Sequence, residues 1–389
     1  MSLLAPRTPD EAADMVRAAR ADGRTLDIRG GGTRAGLGRP RRAQDVLSTQ
    51  ALSGVTLYEP AELVVRALAG TPLSQVEATI AEKKQILPFE PMDHRAIYGA
   101  TGEPTIGAVA ACNLSGPRRV RAGAARDSLI GVRFVNGAGE IVSSGGRVMK
   151  NVTGLDLVKL SCGAHGTLGL LTEVTFKLLP TPRAAGTLVM DGLEDARAVE
   201  AMSAALGSPF EVSAAAHDPA RRLTALRVEH APESVDYRLA ALAKLMGRYG
   251  SARRMDDDEA GAWWRDIRDA RPLAARPEPL WRASVPPSRA PALVESLAAQ
   301  GFAQAWLYDW GGGLVWLAGP ADATSARAIH AQATQAGGHA TLVRAPDAAR
   351  ETLDAFQPLD AALAKLTRRV KASMDPDFIL NPGRMYADI

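Results

Sequence analysis

Arg29-Gly30-Gly31-Gly32-Thr33-Arg34-Ala35-Gly36 is the segment that decides the fold of this 389-residue chain, and it follows a short predicted strand, Thr25–Ile28. Consecutive glycines let backbone N–H groups approach a phosphate closely, because no Cβ intervenes. A P-loop would require a lysine where Leu37 stands. A dinucleotide-binding motif would require a glycine at Ala35 and a helix directly after the loop, which Pro40 does not favour. Taken alone, the segment predicts a phosphate-binding turn of another kind or a structural turn.

The residues around the glycine loop predict an α/β first half. Thr8 can cap a helix, Pro9 suits its first position, and Glu11 completes a capping box. One apolar helix face follows at a spacing of three and four: Ala12, Met15, Val16 and Ala19. The same order of cap and proline recurs at Thr71-Pro72, before a helix that carries Leu73, Val76 and Ile80.

The positions of glycine and proline predict a hairpin, a domain boundary and a loop later in the chain. Asn136-Gly137-Ala138-Gly139 indicates a hairpin between two strands, and Pro180-Thr181-Pro182 indicates a domain boundary. The proline-rich stretch Arg271–Pro291 is typical of a loop, and a last helix is predicted from Leu353 to Met374. No internal repeat is visible in the sequence.

The composition excludes several classes of function. Forty-six basic and 43 acidic residues leave a net charge of +3, and neither basic cluster matches a nucleic-acid motif, so both are predicted to face solvent or a partner: Arg39, Arg41 and Arg42, and Arg118, Arg119 and Arg121. Two cysteines, Cys112 and Cys162, are too few for an iron–sulfur cluster or a four-cysteine zinc site, and are predicted to be reduced thiols. No metal site and no nucleic acid are therefore predicted.

No apolar run approaches eighteen residues, and the first residues lack the pattern of a signal peptide. We therefore expect a cytoplasmic protein of two domains without a membrane span of its own.

Four blocks then follow one another at a characteristic order and spacing: Arg29–Gly36; Thr105–Ala108 with Asn113–Arg119; Gly123–Gly131; and Gly146–Gly154 with Gly166–Thr172. Together they resemble the FAD-binding domain of the vanillyl-alcohol-oxidase (PCMH-type) flavoproteins. This resemblance implies an α+β protein. Its FAD-binding domain, formed by two α/β subdomains, would span residues 1–182. An α+β cap domain with an antiparallel sheet would span 183–345, and a C-terminal helix and tail, 346–389, would return to the FAD domain.

A narrower resemblance rests on Phe89-Glu90-Pro91, Leu114–Arg119 and Asn381–Tyr386, which are similar to the FAD-binding subunits of bacterial glycolate oxidases. It implies a heteromeric complex with a larger flavoprotein subunit and an iron–sulfur subunit. The complex would oxidise a small 2-hydroxy acid, glycolate, to glyoxylate, and would pass electrons on through the iron–sulfur subunit. Such a chain would be cytoplasmic, or associated with the membrane through its complex. Two alternatives stay open: a self-sufficient FAD-dependent 2-hydroxy-acid dehydrogenase of the D-lactate type, and an FAD-binding scaffold subunit without a redox role.

The resemblance also implies roles for individual residues. Noncovalent FAD would lay its pyrophosphate on Gly30, Gly31, Gly32 and Thr33, with charge from Arg29 and with Gly36 closing the loop. Four residues would line the flavin and ribityl side: Thr105, Gly107, Ser115 and Gly116. Leu171 would offer backbone groups, while Arg126 would either contact FAD or hold the fold together. Asn381 would lie near the isoalloxazine ring or form a C-terminal cap turn.

The catalytic residues are not predicted. Oxidation of a 2-hydroxy acid requires a base for the hydroxyl proton and cations for the carboxylate. The six histidines are far apart in sequence, and each is expected at the surface or satisfied in the core: His94, His165, His217, His230, His330 and His339. This scatter favours the subunit and scaffold hypotheses. The six tryptophans, all beyond residue 260, would form either a pocket or a subunit interface, and we favour the interface.

Overall fold

In the part of the chain that the structure describes, helices alternate with strands that form four sheets. The computed structural model describes residues 2–40, 43–146 and 155–389. The strands are β1 Leu3–Leu4, β2 Leu26–Arg29, β3 Asp45–Ser48, β4 Val55–Glu59, β5 Val64–Leu68, β6 Gln85–Ile86, β7 Leu129–Val135, β8 Ile141–Gly145, β9 Leu170–Lys177, β10 Leu179–Pro180, β11 Ala184–Asp191, β12 Val212–Asp218, β13 Leu223–His230, β14 Ala252–Arg254, β15 Leu280–Ser284, β16 Ala305–Asp309, β17 Leu314–Ala318 and β18 His339–Arg344. The helices are α1 Pro9–Ala21, α2 Leu73–Ala81, α3 Arg95–Tyr98, α4 Ile106–Cys112, α5 Arg119–Ala122, α6 Ala125–Ser128, α7 Leu157–Ser161, α8 Asp195–Leu206, α9 Pro232–Met246, α10 Asp257–Arg268, α11 Arg271–Ala274, α12 Ala290–Ala299, α13 Ala323–Gln335, α14 Asp347–Thr352 and α15 Ala361–Met374.

The first half of the chain contains a parallel sheet and a larger antiparallel one. The parallel sheet has the order β1-β3-β2, and the antiparallel sheet has the order β4-β5-β9-β7-β8. Helix α1 forms as predicted: the Thr8 hydroxyl accepts from the Glu11 N–H at 3.1 Å. The Glu11 carboxylate accepts from the Arg7 N–H rather than from Thr8, so only one half of the capping box forms. The predicted hairpin is confirmed, since β7 and β8 pair around the turn that begins at Asn136.

Three local predictions were wrong, each for a tertiary reason. Thr71 does not cap α2, because its hydroxyl accepts from the Gly54 N–H and donates to the Leu68 carbonyl at 2.6 Å. The Arg271–Pro291 stretch contains α11 and also β15, which is paired on both sides by β17 and β18. The last helix begins only at Ala361, where the Asp360 carboxylate accepts from the Leu363 N–H and starts it.

The eight-stranded sheet has an internal repeat that the sequence does not show. Its order is β14-β11-β13-β12-β16-β17-β15-β18, and each half follows the path β-α-β-β-α-β. In each half the first strand lies between the third and the fourth, which is the split βαβ arrangement. The two halves join edge to edge where His217 of β12 faces Tyr308 of β16. A repeat of this kind requires only that both halves have the same order of strand and helix periodicities. The two halves therefore need not be similar in sequence.

The two faces of this sheet have different partners. One face packs on the four helices of the repeat, α8, α9, α12 and α13. The other face packs on α10 and α11 and also on Met92 and Ile97 from the first half of the chain. The large sheet is therefore attached to the first half through an apolar contact, and the cleft described below opens beside that contact.

The C-terminal tail runs back beside β2. Leu380 forms a parallel bridge with Leu26, and Lys371 and Asp375 of the last turn of α15 form a fully buried ion pair at 2.6 Å. The Lys371 ammonium also donates to the carbonyls of Thr167 and Leu380. Three acceptors thus satisfy the buried charge and fix the tail against the strand that leads into the glycine loop.

Candidate functional site

A first cleft, called here the glycine-loop cleft, lies at the end of β2. It is lined by residues 28–35, by Gly107, Ala108, Ala111 and Cys112 of α4, and by His165, Gly166, Gly169 and Leu171, with Thr49, Ala69 and Arg384 completing it. The fold therefore brings seven of the predicted residues together in the lining of this cleft: Arg29, Gly30, Gly31, Gly32, Thr33, Gly107 and Leu171.

The glycines of the loop are required by close backbone contact. A Cβ on Gly31 would lie 1.7 Å from the Glu103 carbonyl oxygen, and one on Gly102 would lie 1.9 Å from the carbonyl oxygen of Gly31. Gly32 has a φ of +75°, a left-handed conformation that favours glycine. Among the described residues, no acceptor is found for the N–H groups of residues 31–34. Such a run of free donors on a cleft wall is suited to phosphate oxygens.

Arg34 is the charged residue of the loop that forms no ion pair with a carboxylate among the described residues. Its side chain is 5% exposed, and its Nε donates to Nδ1 of His94 at 3.3 Å. Both terminal nitrogens are buried without a hydrogen-bond partner among the described residues. Burial lowers the pKa of the Arg34 guanidinium. A buried cation with free donors is costly unless an anion completes it, so the cleft fits a phosphate group.

Arg29 and Thr105 differ in whether their polar side-chain groups already have a partner in the protein. Arg29, the residue that the sequence resemblance selects for charge, is paired with Asp27 at 2.5 Å. Thr105 is buried, and its hydroxyl has no partner among the described residues. That hydroxyl lies against the loop, since a Cβ on Gly30 would come within 2.4 Å of it. The role of Arg29 toward the cofactor stays a prediction, and the sequence does not single out Arg34, because only the fold shows which arginine pairs with Asp27.

A second cleft, called here the domain cleft, has a volume of about 730 Å³ and lies between the first half of the chain and the large sheet. The first half contributes His94, Cys112, Ser115, Arg119 and His165 among others. The large sheet contributes Arg282, Trp310, Trp316 and His339 among others. Cys112 and His165 line both clefts, so the two cavities meet at these side chains.

Two buried ion pairs lock the large sheet to the first half beside the domain cleft. Arg227 of β13 pairs with Glu90 at 2.8 Å, and Arg118 pairs with Glu229 at 2.6 Å. Burial alone would raise the pKa of Glu229, but Arg227 and Arg118 bring it down to about 2. Both acids are therefore ionised at neutral pH, and charge-assisted, two-point hydrogen bonds fix the two halves relative to each other.

Folding divides the six histidines into two groups. His217 and His330 have both ring nitrogens next to polar core partners, and His230 is exposed. The other three, far apart in sequence, line the domain cleft: His94, His165 and His339. Burial holds the pKa of His94 well below its ordinary value, with the charge of Arg34 adding to the effect. The expectation that every histidine lies at the surface or in the core misses this group, because the spacing along the chain carries no signal of it.

Cys112, where the clefts meet, has an activated thiol. Burial would raise its pKa, but His165 and the nearby arginines outweigh burial and lower the pKa to about 6. Burial raises the pKa of Cys162, the other free cysteine, to about 12. The thiolate, not the thiol, is the nucleophile.

We therefore expect iodoacetamide to alkylate Cys112 of the FAD-free protein at a rate that levels off by about pH 7, while Cys162 stays unmodified. The thiolate fraction rises as pH increases through the lowered pKa and is nearly complete above it. Peptide mass spectrometry follows both sites in one sample. A rate at Cys112 that keeps rising to about pH 9, as for an ordinary thiol, would contradict this prediction.

The remaining predicted residues lie around the clefts in different roles. Ser115 lines the domain cleft, and its hydroxyl accepts from the Ala125 N–H. Gly36 packs against the Tyr98 ring, and the Gly116 carbonyl accepts from the Trp310 indole at 3.0 Å. Arg126 is exposed and lines neither cleft. Roles for these residues in cofactor binding stay predictions, and residues 147–154 of the fourth sequence block, with Arg41 and Arg42, lie outside the described residues.

Asn381 fastens the tail to the glycine-loop cleft. Its Oδ1 accepts from the Ile28 N–H at 2.7 Å, and its Nδ2 donates to the His165 carbonyl at 2.8 Å. Its backbone has a φ of 45°, a conformation that asparagine tolerates. Both polar groups of the side chain are thus used to position two segments of the cleft wall.

The interface that we favour for the tryptophans stays a prediction, and within this chain all six are at least half-buried, Trp306 with its indole donating to Asp195 at 2.6 Å. Trp263, Trp264 and Trp281 are buried in the chain's own core, while Trp310 and Trp316 are buried and line the domain cleft.

Within the described ranges, no group of three histidine, cysteine or acidic residues is arranged to hold a metal ion. None of the helices in those ranges is long and apolar enough to cross a bilayer.

Comparison with known proteins gives this site its class. The family described as "FAD binding domain" matches residues 2–145. The fold matches p-cresol methylhydroxylase with a TM-score of 0.72 over 99% of this chain and 88% of the other, at 15% identity. The chain thus carries an FAD-binding domain and has the fold of this flavin enzyme, and a relative of higher identity places it among the FAD-binding oxidoreductases.

Closer relatives narrow the class. Glycolate oxidase subunit GlcE of Escherichia coli is 37% identical over 97% of this chain and 97% of its own length. Glycolate oxidase subunit GlcD of Bacillus subtilis is 28% identical over 48% of this chain and 39% of its own. The chain belongs to the family of the FAD-binding glycolate oxidase subunit GlcE.

Proposed function

We propose that this chain is the FAD-binding subunit of a heteromeric glycolate oxidase or dehydrogenase that converts glycolate to glyoxylate. The observation that carries the proposal is the likeness to subunit GlcE over nearly the whole of both chains. A larger flavoprotein subunit and an iron–sulfur subunit complete the complex, and electrons leave through the iron–sulfur subunit. The complex is cytoplasmic or attached to the membrane through a partner.

The glycine-loop cleft is proposed to hold the FAD pyrophosphate. The free N–H groups of residues 31–34 and the two unpaired nitrogens of Arg34 supply donors and positive charge. Gly107 lines the cleft at α4, the Thr105 hydroxyl lies against Gly30 of the loop, and Leu171 would offer backbone groups from β9. Bound FAD supplies an acceptor for two electrons and a proton from a carbon that bears a hydroxyl group.

The protein's own residues then orient and shield the site. Asn381 holds Ile28 and His165 in place on two walls of the glycine-loop cleft. The ion pairs of Glu90 and Glu229 keep the large sheet over the domain cleft, which limits access of water. His165 and Cys112 stand where the clefts meet, and the Nδ1 atom of His165 is buried without a partner among the described residues.

The proposal is tested by reconstitution. The chain is purified alone and together with the two partner subunits, and glycolate-dependent reduction of a dye is measured for each sample. We expect the lone chain to retain FAD, seen as flavin absorbance released on denaturation, but to reduce dye at less than about a tenth of the rate of the full complex. Full activity of the lone chain would overturn the subunit assignment and favour a self-sufficient dehydrogenase. Full activity of the partners without this chain would favour a scaffold without a redox role.

A further inference from the structure

Two arginines face the domain cleft from opposite sides. Arg119 is the first residue of α5 in the first half of the chain, and Arg282 lies in the middle of β15 in the large sheet. Both guanidinium groups stack on the ring of Trp310, with their central carbons 4.3 Å and 5.1 Å from its centroid. The fold thus gathers two cations on one aromatic side chain at the wall of a cavity.

Neither arginine is neutralised by the protein. Among the described residues, Arg119 and Arg282 form no ion pair, and their side chains donate no hydrogen bond. Their neighbours behave differently: Arg118 and Arg227 are both paired with buried carboxylates. An unpaired, half-buried cation is destabilising, and a bound anion would offset that cost. The lack of ion pairs at Arg119 and Arg282 within the described ranges is therefore explained if an anionic ligand binds there.

The surroundings keep the cleft positive. Burial raises the pKa of Asp309, the residue before Trp310, to about 8, so this side chain is largely neutral at pH 7. Burial also lowers the pKa of His339, with the charges of Arg282 and Arg119 adding to the effect, so this imidazole does not contribute to the positive charge, which comes from the two arginines. Burial, together with the charge of Arg119, lowers the pKa of Arg282 to about 10, which still leaves it charged. A concave site lined by charge of one sign concentrates ions of the opposite sign.

Trp310 is held firmly as the platform for both cations. Its backbone has a φ of 54°, which is strained for a bulky residue. The Asp309 carboxylate accepts from its backbone N–H at 2.7 Å, and its indole donates to the Gly116 carbonyl at 3.0 Å. Strain that the surroundings maintain in this way is typical of a site built for a ligand.

We propose that the domain cleft of this chain binds a small monocarboxylate, of the 2-hydroxy or 2-oxo acid class, through Arg119 and Arg282. A guanidinium group can hold a carboxylate by two parallel hydrogen bonds, and the second arginine adds charge. The short carbon chain of the ligand would then lie toward Cys112 and His165, where the domain cleft meets the glycine-loop cleft. This inference rests on the proposed function but adds a binding site within this subunit, whichever subunit carries out most of the turnover.

The two clefts have separate arginines. Arg34 and Arg384 line the glycine-loop cleft, whereas Arg119 and Arg282 line only the domain cleft. The charges that the pyrophosphate would use are therefore not those assigned here to the carboxylate. Substitution of the second pair should leave FAD in place.

The test is titration of the FAD-loaded protein with glycolate and with glyoxylate, followed by calorimetry and by the change in the visible flavin spectrum. Glycolamide, the neutral amide of glycolate, is the ligand control. We expect glycolate to bind at least tenfold more tightly than glycolamide, and Arg119→Gln and Arg282→Gln each to weaken carboxylate binding at least tenfold with flavin content unchanged. Arg282→Lys, which keeps the charge but loses the fork, should fall between.

Arg121→Gln is the matched control variant, because Arg121 lies on the same short helix and pairs at the surface with Glu211. It removes the same charge and should leave binding within about twofold of the wild type. Equal binding of glycolate and glycolamide to the wild type, or equal weakening by Arg121→Gln, would overturn the proposal. Loss of FAD from the Arg119 and Arg282 variants would also overturn it, since these arginines would then serve the cofactor. Failure of reconstitution with the partner subunits, in contrast, bears on the proposed function alone.

Discussion

Ala35→Glu is expected to purify almost free of FAD, with the affinity for added FAD reduced about 100-fold, or about 2.7 kcal/mol. Ala35 is exposed in the glycine loop and lines the cleft there, so a longer side chain can enter without displacing the core. A carboxylate at this point opposes the phosphate charges and competes for the free donors of residues 31–34 and Arg34. The measurement is flavin content per chain after gel filtration, followed by a fluorescence titration with FAD.

Ala35→Gln is the matched control, since it has the same length and shape without the charge and should retain most of its FAD. Gly31→Glu is less informative, because any Cβ at that position would meet the Glu103 carbonyl and disturb the backbone. Circular dichroism of all variants establishes that they fold. If Ala35→Glu holds as much FAD as Ala35→Gln, the pyrophosphate does not lie in this cleft.

Lys371→Met is expected to reduce the free energy of unfolding by about 3–5 kcal/mol. The substitution keeps the apolar stem of the side chain but leaves the Asp375 carboxylate buried and without its cation. It also removes the donor for the Thr167 and Leu380 carbonyls, which are buried beside it. Urea denaturation followed by tryptophan fluorescence and by circular dichroism measures the loss.

Arg368→Met on the same helix provides the comparison for Lys371→Met. Arg368 pairs with Asp388 at 3.0 Å on the exposed side of the helix, with more than half of each side chain accessible. Solvent screens such a pair, so we expect a loss of at most about 1 kcal/mol. Similar losses for the two variants would show that the buried pair does not anchor the tail.

The glycines of the loop are predictable from the sequence because the requirement for them is local. Gly31 and Gly32 are needed for a close approach and for a left-handed turn, and both conditions act on the backbone at that point. Helix α1 is predictable for the same reason, since Thr8 and the apolar face lie within four turns of chain. Strand β15 is not, because the neighbours that satisfy it, β17 and β18, come from 30 to 60 residues later.

The same distinction applies within the candidate site. The sequence does not distinguish Arg29 from Arg34, since both are arginines in one glycine-rich segment. In the structure, Arg29 is neutralised by Asp27, whereas Arg34 is buried with its terminal nitrogens unpaired among the described residues. His94, His165 and His339 give no pattern along the chain and still line one cavity. The pairing of the arginines and the grouping of the histidines both depend on contacts between residues that are distant in the chain. Neither can therefore be predicted from a short segment of sequence.

By itself, the sequence determined the class of cofactor, the family and the glycine turn after β2, because these are carried by short blocks of residues whose requirements are local. Only the tertiary structure decided which charges are left free, since neutralisation depends on partners that are distant in the chain. Arg119 and Arg282 are 163 positions apart, and they become a pair only because both pack on Trp310. Electrostatic free energy depends on distance in space and on burial, and folding fixes both.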